Sequence, residues 1–381
     1  MDDIKLNYDD ITVMPEVLTD ITSRSVCNPY DEDGYLPIWA SCMSSVVSIE
    51  NAGNFNAARI RVVIPRSYSV EDRLDYLKTN EGNFVAFSLN EAKELFINKS
   101  KDTLSKLDYN NKKDKQYKIC IDLANGHMKS LLEIVKKIKE LNGDRYIIMT
   151  GNIANPKTYE EYEKAGVDFC RVSVGTGDAC LTASNTAVHY PVFSLLKEIY
   201  EIKQKIDGKC KIIADGGIKG YRDIQKALIY ADYVMIGSLF NKAMESAGKT
   251  TYGNFYWNIR GKKIFRPITT LLKYGKEVPK DKYEETYHLI KDNKLTVWKE
   301  FYGQSTKIAQ AIVASANTQT LKNLKTSEGL LKYQKVEYTL QSWAENETDY
   351  LKSAMSYTNS KTLEDYKDSQ WVRITQIRYN K

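Results

Sequence analysis

Between residues 36 and 238 short apolar runs, each closed by turn residues, alternate with amphipathic stretches. The runs are LPIWAS (36–41), RVVIP (61–65), NFVAFSL (83–89), YKICIDLA (117–124), YIIMTGN (146–152), DFCRVS (168–173), KIIADGG (211–217) and YVMIGS (233–238). A short run that is apolar on both faces suits a strand covered on both sides, as in a parallel sheet flanked by helices. Helical patterning fills the intervals HMKSLLEIVKKIKELNG (127–143), PKTYEEYEKAG (156–166), YPVFSLLKEIYEIKQKIDG (190–208) and YRDIQKALIYA (221–231). In the first of these, Leu131, Ile134, Val135, Ile138 and Leu141 are expected on one apolar face, with Gly143 ending the helix. Eight such alternations favour a closed (β/α)8 TIM barrel over an open doubly wound sheet.

In a barrel of this kind, chemistry gathers on the loops that follow the C-terminal strand ends. Those ends carry Ser41-Cys42-Met43, Asp122 to Gly126, Gly151-Asn152, the loop SVGTGDACLTASNTAVHYP (173–191), Asp215-Gly216-Gly217 and Gly237-Ser238. Glycines also simply terminate strands, but polar and small residues at so many converging ends point to a site. Beyond the barrel, residues 250–300 mix aromatics, lysines and turn residues without a clean period. They are expected to form a lid-like excursion from a barrel loop, and 301–381 a flap and C-terminal segment of the same single domain.

The chain carries 55 basic and 49 acidic residues, and no run of five like charges. That balance does not suggest nucleic-acid binding, although it would welcome an anionic small substrate. The six cysteines contain no CxxC pair, and the three histidines form no metal-ligand spacing with them. Reduced thiols, no metal, and a cytoplasmic protein without a membrane span are therefore expected.

Cys180 alone among the cysteines is flanked by glycine and hydroxyl residues, which suits a nucleophile that forms a covalent intermediate. The alternative is a small residue filling a strand end. His127 and His189 are base candidates only if the fold brings them near. Gly216-Gly217 and Gly237-Ser238 expose backbone N–H groups suited to a phosphate. Asp215 could accept hydrogen bonds from ribose hydroxyls, or it could cap a helix.

These motifs, in this order, resemble the inosine monophosphate dehydrogenase and guanosine monophosphate reductase family over nearly the whole chain. The resemblance is carried by LNYDDI (6–11), ASCMSSV (40–46), SVGTGDACLT (173–182), DGG (215–217), Gly237-Ser238, FYGQST (301–306) and SEG (327–329). ICIDLANGH (119–127), TAVHYP (186–191), KTSEGLLKYQKVEYT (325–339) and AMSYTNSKTLEDY (354–366) look more like the reductase. The regulatory module often inserted in the dehydrogenase is missing, since only residues 66–82 separate the second and third runs.

The resemblance implies NADPH-dependent conversion of a guanine nucleotide to its hypoxanthine counterpart and ammonia, through a Cys180 adduct at purine C2. It implies that Thr182 and Glu328 move the protons and that Asp215 binds the ribose. Ser41, Gly217, Gly237, Ser238 and Tyr302 would surround the phosphate; Met43, Gly303, Gln304 and Ser305 would surround the base. It also implies a homotetramer.

Three departures stand out. Asp178 occupies the position of a serine that donates to the substrate phosphate, and an ionised carboxylate ~4 Å from a phosphate would be repelled by ~4 kcal/mol at an effective dielectric of 20. Either the substrate is unusual at its sugar or 5′ end, such as a deoxy or modified purine nucleotide, or Asp178 pairs with a nearby lysine or arginine. An Asn-Met-Asp-Thr stretch is replaced by Cys42-Met43-Ser44-Ser45, and the segment from Phe240 to Phe301 is long. Two other functions stay open: NAD-dependent oxidation of inosine monophosphate to xanthosine monophosphate, and a catalytically silent nucleotide-binding barrel. The dehydrogenase's flap Arg-Tyr pair has no match in 306–325, which favours the reductase.

Overall fold

A computed structural model describes residues 4–108, 115–178, 180–257, 263–267, 297–316 and 329–374. After a short strand β1 (Ile11–Val13) come β2 (Ile38–Ala40), β3 (Arg61–Ile64), β4 (Phe84–Phe87) and β5 (Tyr117–Asp122). Next are β6 (Tyr146–Ile153), β7 (Phe169–Val172), β8 (Lys211–Asp215) and β9 (Tyr233–Ile236). Strands β2 to β9 pair in parallel with their sequence neighbours, and β9 pairs back onto β2 through Ile38↔Val234, closing the ring. All eight apolar runs are thus strands; seven are trimmed by one to a few residues where the turns begin, and β6 runs one residue further, to Ile153.

Alternation along each strand builds two apolar cores. Outward residues such as Ile119, Ile121, Cys170, Val172, Ile212 and Ala214 pack beneath the helices. Inward residues Trp39, Phe84, Cys120, Met149, Ile213 and Met235 fill the barrel. Trp39 meets Phe84 edge-on at 5.1 Å, and Phe84 meets Phe169 at 5.3 Å, so rings plug the interior below the site. The same period turns Asp122, Arg171 and Asp215 inward at the C-terminal end, above this plug.

The helices follow the expected stretches: Lys129–Asn142, Thr158–Ala165, Val192–Lys205 and Tyr221–Leu228. Leu131, Val135 and Ile138 of the first are fully buried, and Ile134 is partly buried. Leu141 departs from expectation at 49% exposed. At 100° per residue it falls on the edge of the apolar stripe, in the last turn, where the barrel no longer covers it.

After the barrel the chain forms β10 (Thr250–Trp257), β11 (Lys263–Pro267), β12 (Val297–Tyr302) and β13 (Leu331–Lys335). These make an antiparallel sheet in the order β11-β10-β12-β13. The 250–300 excursion thus has strands at both ends, while 258–262 and 268–296 lie outside the described residues. Helix Leu340–Tyr357 then packs Trp343 against Phe240 at 4.8 Å and Tyr221 at 5.4 Å. A last strand β14 (Trp371–Arg373) pairs with β1 and ties the two ends of the described chain together. Among the described residues no helix is long and apolar enough to cross a membrane.

Candidate active site

The C-terminal strand ends open into a cavity of ≈ 1000 Å³. Its wall includes Ser41, Met43, Asp178, Cys180, Thr182, Asp215, Gly216, Gly217, Gly237, Ser238, Gly303, Gln304 and Ser305. Positions up to 264 apart in sequence are thereby gathered around one space, as the strand-end pattern implied. Tyr302 is not part of the wall. Strand alternation points its neighbour Phe301 to the cavity, while the Tyr302 hydroxyl accepts from Ser44 Oγ at 3.5 Å on the other side. Glu328 lies outside the described residues.

Cys180 sits in the loop after β7. Its N–H donates to Gly177 O at 2.9 Å, and its thiol donates to Thr182 Oγ1 at 3.3 Å. Cys180 also forms an isolated antiparallel bridge with Gly329. It is partly exposed, whereas the other five cysteines are buried. Cys42 touches the same cavity, but burial first and the adjacent Asp122 second push its thiol well above the ordinary value. Cys42 is therefore held protonated and poorly nucleophilic.

Neither histidine supplies a base. His127 Nδ1 lies 3.0 Å from Thr158 Oγ1, and its Nε2 accepts from Ala154 N–H at 3.0 Å, which fixes the ring as a structural strut. His189 Nδ1 lies 3.1 Å from Val174 O. Neither ring reaches the cavity wall. The group beside the Cys180 thiol is the Thr182 hydroxyl.

The cavity floor is a buried ionic network that the sequence pattern did not reveal. Arg171 donates to Asp122 Oδ1 at 2.9 Å and to Asp215 Oδ2 at 2.9 Å. Arg66 reaches the other Asp122 oxygen at 3.2 Å, and Asn152 Nδ2 donates to Asp215 Oδ2 at 2.8 Å. Burial alone would raise the Asp122 carboxyl, but Arg66 and Arg171 outweigh it and hold it below the usual carboxylate value. Burial likewise works against the Arg171 charge, yet Asp215 and its other neighbours keep the guanidinium firmly protonated. The available signal was an arginine at an inward position of DFCRVS, where a purely structural strand would carry an apolar residue.

Asp215 is no helix cap: its Oδ2 is committed to Arg171 and Asn152, and the following helix starts only at Tyr221. Beyond it, Gly216 and Gly217 have φ of +95° and +77°, and a Cβ on Gly216 would lie 2.7 Å from Thr176 Oγ1. Lys219 and Lys242 also line the wall, 3.0 Å from Asp9 and 3.2 Å from Glu337 respectively. Asp122 and Thr176 stand at strand ends already marked by their polar residues, whereas Arg66, Arg171, Lys219 and Lys242 reach the wall without a strand-end motif to announce them.

Asp178 finds its partner within the protein. Its Oδ1 lies 3.1 Å from Lys332 Nζ, which also donates to the Asp178 carbonyl at 2.6 Å. Of the two accounts of this residue, pairing with a lysine is the one the geometry carries.

Residues 96–292 match the family model described as the IMP dehydrogenase / GMP reductase domain. The chain is 31% identical over 283 residues to the GMP reductase of Staphylococcus aureus strain JH9, covering 68% of this chain and 83% of that protein. It is 30% identical over 260 residues to the GMP reductase of Vibrio vulnificus strain YJ016, covering 65% and 72%. With the GMP reductase of Photobacterium profundum it shares 30% identity over 259 residues, again 65% and 72%. A closed parallel barrel, a partly exposed cysteine beside a threonine at its mouth, and these matches agree: the chain belongs to the IMP dehydrogenase / GMP reductase family of oxidoreductases.

Proposed function

We propose that this chain is a GMP reductase: it deaminates guanosine monophosphate, or a close guanine nucleotide, reductively to inosine monophosphate and ammonia. The observation that carries the proposal is the 3.3 Å contact between the Cys180 thiol and the Thr182 hydroxyl, on the wall of the cavity that Asp215 and the glycine-rich ends also line.

In this mechanism Cys180 Sγ bonds to purine C2. Thr182 takes the thiol proton as it passes its own hydroxyl proton to the departing 2-amino group, so ammonia leaves and a thioimidate stays on Cys180. Glu328, one residue before the Gly329 that pairs with Cys180, would complete that proton path. NADPH, when bound, supplies the hydride that replaces the amino group at C2. The chain's part at that stage is to release its sulfur: the C2–S bond breaks, its electron pair returns to Cys180, and the thiolate takes a proton from solvent.

Asp215, held by Arg171 and Asn152, keeps Oδ1 for a ribose hydroxyl. Ser41, Gly217, Gly237 and Ser238 would take the phosphate, and Met43 with Gly303, Gln304 and Ser305 the base. The cavity stands at the upper end of the ~300–1,000 Å³ common for ligand pockets, which leaves space beside a purine nucleotide. Ser88, Asn90 and Arg66 also line the cavity and would hold the nicotinamide end. An assembly of several copies and a cytoplasmic setting fit this reading.

Absorbance at the nicotinamide band tests it. Oxidation of NADPH in the presence of guanosine monophosphate, abolished in Cys180→Ala, is the expected result. Reduction of NAD with inosine monophosphate would overturn it in favour of the dehydrogenase direction, and silence in both mixtures would leave a binding barrel. A panel of guanine ribonucleotides, deoxynucleotides and nucleosides reports the preferred sugar and 5′ end by kcat/KM.

A further inference from the structure

We propose that Asp178 and Lys332 form a latch that fastens the catalytic loop to strand β13 and so positions the Cys180 thiol; its catalytic part rests on the reductase reading above. Three contacts converge there. Lys332 Nζ lies 3.1 Å from Asp178 Oδ1 and donates to the Asp178 carbonyl at 2.6 Å, and Gln334 Nε2 approaches Asp178 Oδ2 at 3.5 Å. Two residues along, Cys180 pairs antiparallel with Gly329. Lys332 follows Gly329 by three positions and Asp178 precedes Cys180 by two, so the ion pair stands next to the bridge that holds the cysteine.

The chemistry at position 178 suits this task. A carboxylate reaches the lysine with both charge and hydrogen bond, and lysine answers with donors to the side chain and the backbone of the same residue. Neutralised in this way, Asp178 does not present a bare negative charge to a substrate phosphate. The pair is also open to solvent, with side-chain exposures of 36% for Lys332 and 49% for Asp178. Exposed pairs are weak and easily broken, which lets β13 part from the loop as nucleotides exchange. Asp178 and Lys332 are thus positioning residues, acting on Cys180 through the backbone between them.

The test reads the thiol directly, without any assumption about the reaction. Full-length protein and its variants are exposed to iodoacetamide, and alkylation of the Cys180 peptide is timed by mass spectrometry, with the five buried cysteines as internal controls. Asp178→Ala and Lys332→Ala should each change the Cys180 rate by up to about fivefold, the span of a surface ion pair. Lys332→Ala should have the larger effect, because it also removes the bond to the Asp178 carbonyl. The double variant should match Lys332→Ala, the reversed pair Asp178→Lys with Lys332→Asp should recover the part of the rate that the ion pair carries but not the part carried by the bond to the residue-178 carbonyl, and 1 M salt should shrink the differences. Additive effects with no recovery in the reversed pair would overturn the latch. In turnover assays the latch predicts a lower kcat for Lys332→Ala at nearly unchanged KM. A drop in KM for the phosphorylated substrate in Asp178→Ser, with the alkylation rate unmoved, would overturn it as well and make Asp178 a phosphate-facing residue. Failure of the reductase reading would silence the turnover assays alone and leave the alkylation result standing.

Discussion

The floor and the rim of the cavity each hold an acidic residue paired with a base, yet the two pairs differ in what they can do. On the floor, Arg171 is 8% exposed and bridges Asp122 and Asp215, which are 10% and 12% exposed. On the rim, Asp178 and Lys332 are open to water. A desolvated network must be complete, because removing one member leaves a buried charge without its partner, while an exposed pair loses little when broken. The floor is therefore a fixed scaffold for the ligand, and the rim is where the site can give way.

The comparison breaks most visibly at Arg171. Arg171→Met should cost about 3–5 kcal/mol of stability by leaving Asp122 and Asp215 as facing buried carboxylates. Urea unfolding would show this as a large drop in midpoint, against a shift of about 1 kcal/mol or less for Lys332→Ala. An equal loss in both would erase the distinction between floor and rim.

Acid sharpens it next. Asp122 is held below its usual pKa, so the stability it contributes is fully present above the unfolded-state value of ~3.9 and is lost as pH falls through the lower folded value. Unfolding curves for Asp122→Asn should accordingly lie below native at neutral pH and converge toward it under acid.

Glu347 shows the opposite sign. It is fully buried in helix Leu340–Tyr357, accepts from Gln225 Nε2 at 3.1 Å, and burial pushes its carboxyl well above the ordinary range. Its folded state binds the extra proton, so its contribution weakens as pH rises from ~4.3 toward the folded value. The gain in melting temperature of Glu347→Gln over native should be larger at pH 8 than at pH 4.5. A gain that shrinks with rising pH would contradict the assignment of Glu347 as a neutral acid.

The smallest effect is expected at the wall. A Cβ on Gly237 would lie 2.8 Å from Met43 Sδ, a flexible tip that can move. Gly237→Ala should leave the melting temperature within a few degrees of native and raise KM for the nucleotide severalfold, read by steady-state kinetics.

Much of this was legible in the chain. Short runs apolar on both faces, with period 3.6 between them, dictated eight strands and their helices, because apolar residues must leave water wherever the backbone places them. Cys180, Thr182, Asp215 and the glycine-rich ends could be singled out because each stood at a strand end. Tyr302 turns to Ser44 while Phe301 lines the cavity, because a one-residue step along a strand reverses the face a side chain takes, and resemblance of motif does not fix that phase. Leu141 was misplaced because a helix pattern records angle and not where the covering layer stops.

What the sequence determined by itself was the order of elements and the residue types at their ends, both properties of local periodicity. What only the tertiary structure decided was who meets whom at a distance in the chain: Arg171 between Asp122 and Asp215, His127 and His189 set aside from Cys180, and Lys332 against Asp178 from 154 positions away. Coulomb energy and hydrogen bonds depend on distances of a few ångströms, and barrel closure sets those distances without leaving a periodic trace in the chain.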